Sequence, residues 1–309
     1  METRRLGNSG PQVSVVGLGC NNFGMKLDER RSAAVVHAAL DVGVTHFDTA
    51  ESYGGGQSEV FLGKALGSRR ESVVVATKFA ARPEEEPYRP GVLRKRILEG
   101  CDISLSRLGT HYIDLYYQHH PDPEAPVEEV LEALMELMAS GKVIHAACSN
   151  YGRELVEEAV TAAGRLGFSG FVADQIHWNL LAREVEDETV PTLRKHGLGI
   201  VPYFPLESGL LTGKYGEGSE WPEDSRLVAM PRFATVATEE NLARVKRLSG
   251  FADGRGHRLL ELAFGWLLSQ EGVASVIAGA TTPEQVKTNV QAGTAWRLSP
   301  EEMATVPTA

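Results

Sequence analysis

Four side chains have the types and spacing for acid–base chemistry. Asp48 ends the run GVTHFD, and Tyr53 stands five residues later, just before three glycines. Lys78 ends SVVVATK, and His119 ends YIDLYYQH. A phenol ionises near ~10 in water. It gives up a proton near neutral pH only where a positive charge favours the phenolate. Lys78 could supply that charge, and Asp48 could hold Lys78 as an ammonium in a half-buried site. A neutral His119 could donate a hydrogen bond to a carbonyl oxygen and polarise it. Taken singly, each has a plainer reading: a helix cap, a solvated tip, a structural histidine. As a set they describe protonation of an oxygen while something else attacks the carbonyl carbon.

The elements that must position them are short apolar runs alternating with amphipathic stretches. Eight runs read as strands: 13–19, 43–48, 72–78, 112–119, 142–150, 171–178, 197–204 and 273–279. Each is rich in Val, Ile, Tyr or Phe, as buried parallel strands are. Helical patterns lie between them. One runs from Pro90 to Gly109 and another from Pro126 to Gly141, the Pro-start and Gly-stop order that helix ends prefer. A pattern over 183–197 carries Pro191, which obscures its start. Eight uninterrupted β–α alternations predict a single (β/α)₈ barrel over residues 1–309, with an open doubly wound sheet as the rival. In such a barrel, reactive groups gather at the carboxyl ends of the strands. A long irregular stretch, about 206–237, is expected to be a functional loop near that rim.

Composition narrows the class. The chain has 309 residues, 42% of them hydrophobic, enough for a sizeable interior. A formal charge of −10, without basic blocks, argues against a nucleic-acid partner. Cys20, Cys101 and Cys148 are far apart and read as free thiols in a reducing compartment. The first residues lack a signal-peptide core, and no run approaches the ~18 apolar residues of a membrane span. A cytoplasmic protein acting on a small molecule, without a membrane partner, is the expectation. Oligomeric state is not legible.

Two glycine runs invite a phosphate-loop reading. Gly54–Gly56 are followed by Gln57, Ser58 and Glu59, not by the Lys and Ser/Thr such a loop needs. They are expected to turn the backbone just past Tyr53, with Ser58 as a candidate helix cap. GLGCNNFG (17–24) departs from the dinucleotide fingerprint, and no helix opens at Gly24.

Several stretches together resemble the aldo-keto reductases: DTAESYGGGQSEVFLGKAL, VVVATK, DLYYQHHPD and the Ser149–Asn150 of ACSN. The resemblance runs from RRLGNSGPQVSVVGLGCNNFG to VIAGATTPEQVKTN, nearly the whole chain. It implies a (β/α)₈ barrel that binds a nicotinamide dinucleotide without a Rossmann domain. It also implies a catalytic tetrad of Asp48, Tyr53, Lys78 and His119. His119, not His120, takes the family position because it lies two residues before Pro121. Ser149, Asn150 and Gln175 fall where the family holds the carboxamide, and Tyr203 where an aromatic stacks on the nicotinamide. Leu206, Ser208, Gly209 and Leu211 match the pyrophosphate loop, with Lys214 as added charge. Gly279 and the helix start at Pro283 match the adenosine-phosphate contact, and Gln285 and Asn289 the adenine and ribose contacts.

The chain departs from the family in two places. Thr281 and Thr282 stand where many members carry Arg or Lys for the 2′-phosphate, and Phe204 stands where Ser is frequent. NADP(H) is the expected cofactor, with NAD(H) as the alternative. The implied activity is hydride transfer between nicotinamide and the carbonyl of an aldehyde, ketone or sugar, with Tyr53 as general acid/base. The opposite direction, alcohol or sugar oxidation, and a slow nicotinamide-binding sensor module are the alternatives. Phe23, Phe79, Tyr88 and His120 are candidates for the substrate mouth, with Trp221 or Phe233 as its cover.

Overall fold

The computed structural model describes residues 1–80, 86–215 and 231–307, with residues 231–233 as backbone only. It opens on a hairpin, β1 (Thr3–Arg5) with β2 (Gln12–Ser14), antiparallel. The eight expected strands follow: β3 (Val16–Gly19), β4 (His46–Asp48), β5 (Val74–Phe79), β6 (Ile113–Gln118), β7 (Val143–Ser149), β8 (Ala173–His177), β9 (Gly199–Tyr203) and β10 (Val276–Gly279). All pairings are parallel, in the order β10-β3-β4-β5-β6-β7-β8-β9. The ring closes just before β10. Ile200 bridges Val273, and its N–H and carbonyl bond Gly272 O (2.9 Å) and Ala274 N (3.2 Å). A closed ring excludes the open doubly wound sheet and makes this a (β/α)₈ barrel.

The first expected strand, 13–19, divides in two. Val13 and Ser14 belong to the hairpin, and only Val16–Gly19 joins the barrel. The hairpin inserts Leu6 and Val13, both fully buried, into the inner core with Ala76, Leu115, Ala147, Val172 and Val201. Its turn passes close under the strands. A Cβ on Gly7 (φ 60°) would come within 2.5 Å of Val172 O, so only glycine fits there.

The outer core lies between strands and helices. Helices α1 (Glu29–Asp41), α2 (Gln57–Leu66), α3 (Val92–Leu108), α4 (Val127–Ala139), α5 (Arg153–Leu166) and α6 (Thr189–His196) follow β3 to β8 in turn. Gly109 stops α3 in the left-handed region (φ 62°), returning its N–H to Leu105 and Ser106 carbonyls. Pro191 sits in the first turn of α6, where its missing N–H disturbs nothing. After β9 come α7 (Glu239–Asp253), α8 (Leu259–Leu268), α9 (Pro283–Ala295) and α10 (Pro300–Thr305). Helix α7 has no counterpart among the sequence expectations, because only Val245, Leu248 and Ala252 give it a buried stripe. Of the expected loop 206–237, residues 206–215 and 231–237 are described, 231–233 as backbone only. The rest, with Trp221, lies outside the described residues, as does the Phe233 side chain. Among the described residues no helix is long and apolar enough to cross a membrane.

Strand register delivers side chains to the mouth by simple alternation. Ala76, Leu115, Tyr117, Ala147, Ala173 and Val201 all belong to the inner core. Two residues further along each strand stand Lys78, His119, Ser149, Gln175 and Tyr203. Period-two alternation therefore turns these five inward too, at the carboxyl end.

Candidate active site

Asp48, the last residue of β4, is nearly fully buried, and Lys78 on the next strand is wholly so. Lys78 Nζ donates to Asp48 Oδ1 at 2.6 Å and to Thr49 O at 2.8 Å. Gln175 Nε2 donates to the other carboxylate oxygen, Asp48 Oδ2, at 2.8 Å. Burial works against the ammonium, but Asp48 and the nearby Tyr53 outweigh it, and the Lys78 pKa rises above its ordinary 10.5. Lys78 is therefore a fixed cation at neutral pH.

Tyr53 opens a short turn, Tyr53–Gly56, in which Gly54, Gly55 and Gly56 have φ of 56°, 63° and 90°. Those values bear out the reading of the glycines as a turn. Gly56, not Ser58, is the N-cap of α2. Ser58 lies inside the helix, with its hydroxyl 2.7 Å from Thr49 Oγ1 and donating to Cys20 O at 2.9 Å. A hydroxyl buried among polar neighbours is better used in tying α2 to the strand ends than in capping.

Lys78 Nζ sits 5.2 Å from the Tyr53 ring centroid, and its positive charge favours the phenolate. The direction of the Tyr53 pKa corrects the sequence expectation. Burial raises it, Lys78 lowers it, Asp48 raises it again, and the net result lies above the ordinary 10.0. The Asp48 that secures Lys78 also offsets part of its field, so the phenol is held protonated.

His119 follows β6, its ring edge-on to Tyr53 at 5.7 Å and stacked on His120 at 4.7 Å. Burial, the Lys78 charge and His120 hold its pKa down to about 3. His119 is thus neutral over the working pH range.

All but two of the residues expected at the site line one cavity of about 830 Å³. Lys78 lies beneath its floor, and Leu211 packs in the outer core, its N–H on Leu206 O. At the inner end, Ser149 Oγ donates to Gln175 O (2.8 Å), and Tyr203 OH donates to Asn150 Oδ1 (2.8 Å). Leu206, Ser208 and Gly209 form one wall, and Gly279, Thr281, Gln285 and Asn289 the outer end. There Thr281 N and Oγ1 both donate to Gln285 Oε1 (2.8 and 3.1 Å). Of the residues expected at the substrate mouth, His120 lines the cavity. Phe23 and Phe79 are fully buried core, and Tyr88 donates to Glu129 instead. Asn21, Asn22, Met25, Lys26 and Arg258 line it without having been anticipated. The first four directly follow β3, and that position was their only signal.

These residues fit a nicotinamide dinucleotide. The volume falls in the roughly 300–1,000 Å³ range of ligand sites. Amide and hydroxyl groups gather at the inner end, where a carboxamide needs both donors and acceptors. The wall at Gly209 (φ 103°) takes a backbone conformation that L side chains rarely adopt, which leaves it bare toward the cavity.

Comparison with known proteins agrees. The model of the Aldo/keto reductase family matches residues 15–309. A probable voltage-gated potassium channel subunit beta of Arabidopsis thaliana is 37% identical over 94% of this chain and 91% of its own length. The L-glyceraldehyde 3-phosphate reductase of Escherichia coli O157:H7 is 34% identical over 99% of this chain and 91% of its own. A putative channel subunit beta of Schizosaccharomyces pombe is 36% identical over 94% of this chain. The chain belongs to the aldo/keto reductase family of nicotinamide-dependent oxidoreductases.

Proposed function

We propose that this protein is an NADPH-dependent reductase of small aldehydes or ketones, with Tyr53 as the proton donor. The observation that carries the reading is the buried Asp48–Lys78 pair, its ammonium 5.2 Å from the Tyr53 ring centroid at the floor of the cavity. When bound, the reduced nicotinamide supplies the hydride. Neutral His119 donates a hydrogen bond to the carbonyl oxygen and sets its direction. Tyr53 then gives its proton to that oxygen as negative charge develops, and Lys78 stabilises the phenolate left behind. A phenol held above its ordinary pKa is still acid enough, because an alkoxide is far more basic than a phenolate. In the opposite direction Tyr53 must first lose its proton, so alcohol oxidation should demand alkaline pH.

At the inner end Ser149, Asn150 and Gln175 would hold the carboxamide, and Tyr203 would face the nicotinamide. Leu206, Ser208 and Gly209 would take the pyrophosphate, and Gly279, Gln285 and Asn289 the adenosine. Lys214 and Arg258 in the cavity wall favour the extra charge of NADPH over NADH, although Thr281 turns its donors to Gln285.

Consumption of NADPH with a generic aldehyde such as 4-nitrobenzaldehyde tests the activity, and parallel titrations with NADPH and NADH test the cofactor. Turnover with tighter NADPH binding is the expected result. Tighter NADH binding would overturn the cofactor choice. Relatives named as channel beta subunits favour a second reading, a nicotinamide-responsive module with slow turnover. Cofactor binding without measurable consumption at high protein concentration would select it.

A further inference from the structure

The segment after β9 is held by a buried side-chain pin that the proposed mechanism does not use. Phe204, Glu207 and Ser208 have φ of 50°, 39° and 56°, in the left-handed region that L side chains avoid. Among the described residues the only other non-glycine there is Asn150 (φ 63°), which lines the same cavity. Backbone in such conformations persists only where its surroundings over-determine it.

Here the surroundings are specific. Asn179, fully buried, donates from Nδ2 to Phe204 O (2.9 Å) and to Glu207 Oε2 (2.5 Å). Its Oδ1 accepts from Leu181 N (2.8 Å) and Ala182 N (3.0 Å), which fixes the amide's orientation. His177 at the end of β8 donates from Nε2 to the same carboxylate oxygen at 2.8 Å. The His177 ring lies parallel to Tyr203 (5.3 Å, 9°), and Phe204 stands edge-on to both. One carboxylate thus ties β8 to the segment after β9 and braces the plane of Tyr203. Glu207 itself is absent from the cavity wall that its neighbours Leu206 and Ser208 form. It acts from beneath.

We propose that Glu207 is the positioning residue of this segment: its buried carboxylate, gripped by His177 and Asn179, pre-sets the left-handed backbone at Phe204 and Glu207–Gly209 and the Tyr203 plane for a dinucleotide. The inference rests on the nicotinamide-dinucleotide reading of the cavity. Without the carboxylate, buried Asn179 and part-exposed His177 lose their shared acceptor and the segment relaxes. Binding must then restore the strained backbone, which weakens affinity far more than the transfer step at saturation.

The test compares wild type with Glu207→Ala, Glu207→Gln, which keeps one acceptor, and His177→Phe, which keeps the ring stack and deletes the hydrogen bond to Glu207. NADPH affinity is measured by calorimetry, and hydrogen exchange of residues 203–211 in the cofactor-free chain. Single-turnover transfer is followed at saturating cofactor. Glu207→Ala should bind about tenfold more weakly and exchange faster at 203–211, with Gln and His177→Phe nearer about threefold. Transfer at saturation should fall less than about threefold, since positioning acts on binding. Wild-type affinity and exchange in Glu207→Ala would overturn the proposal. Should that variant not fold, unchanged affinity and exchange in His177→Phe would overturn it instead. A wild type that binds no dinucleotide would defeat the reading of the cavity. Exchange in the cofactor-free chain would still judge the pin, unchanged exchange in the variants overturning it.

Discussion

The two ends of the cavity are built differently. At the inner end Asp48, Lys78 and Gln175 stand on or at the ends of strands, are buried, and are joined by hydrogen bonds of 2.6 and 2.8 Å. At the outer end Thr281 and Gln285 sit at the start of α9, exposed or partly so, satisfied mainly by each other. The inner end is assembled in advance, so its geometry costs nothing when substrate arrives. The outer end can exchange its internal bonds for a ligand at little loss. On the proposed reading, chemistry belongs to the rigid wall of the barrel and cofactor discrimination to its adjustable rim.

Breaking the inner end should have the largest effect. Lys78→Met leaves the buried Asp48 carboxylate without its cation, and unfolding stability should fall by about 3–5 kcal/mol. Denaturant titration reads this. Pairing the change with Asp48→Leu should recover much of the stability, because both polar partners are then gone. A single variant as stable as wild type would mean that the inner end is not a coupled unit.

Acid should loosen the same end. Burial holds His46 down to about 4, with Asp48 opposing and Lys78 assisting, while His119 sits near 3. An unfolded histidine titrates near ~6.5. Both folded values are depressed, so the unfolded chain binds more protons as pH falls. Stability is fully present above about 6.5 and is lost downward through about 4 for His46 and about 3 for His119. The His46 share is about 3 kcal/mol at most, from ~1.36 kcal/mol per pKa unit. His46→Asn should flatten the pH dependence of unfolding between about pH 6.5 and 4. An unchanged slope would contradict the depressed pKa.

The outer end should yield the smallest change. Thr281→Arg places a guanidinium fork at the rim and should shift the NADPH-to-NADH affinity ratio about tenfold toward NADPH, with stability untouched. No shift would place the 2′-phosphate elsewhere, with Lys214 or Arg258 as the cations in reach.

The same contrast explains what could be read from the sequence. Strand-end residues were legible because each ends an apolar run and alternation dictates its direction, as with Ala76 and Lys78 or Ala147 and Ser149. Ser58 was misjudged as a cap because its hydroxyl found partners at Thr49 and Cys20, on elements distant in sequence. The His177–Glu207 contact joins residues 30 positions apart across two strand ends, and neither stands in a pattern that marks it. The net rise of the Tyr53 pKa was hidden for a related reason. The sequence names the charges, but only the packed site shows that burial outweighs Lys78. Loop positions such as Lys26 and Arg258 carry no periodic signal at all.

The central claim is that Tyr53, protonated and set beside Lys78, delivers the proton. Single-turnover hydride transfer from NADPH to 4-nitrobenzaldehyde by Tyr53→Phe tests it most directly, with NADPH affinity measured in parallel. The account predicts affinity within about threefold of wild type and transfer slowed by about 10²–10⁴-fold, the usual weight of a positioned general acid. Transfer at the wild-type rate, with the phenol gone, would contradict it.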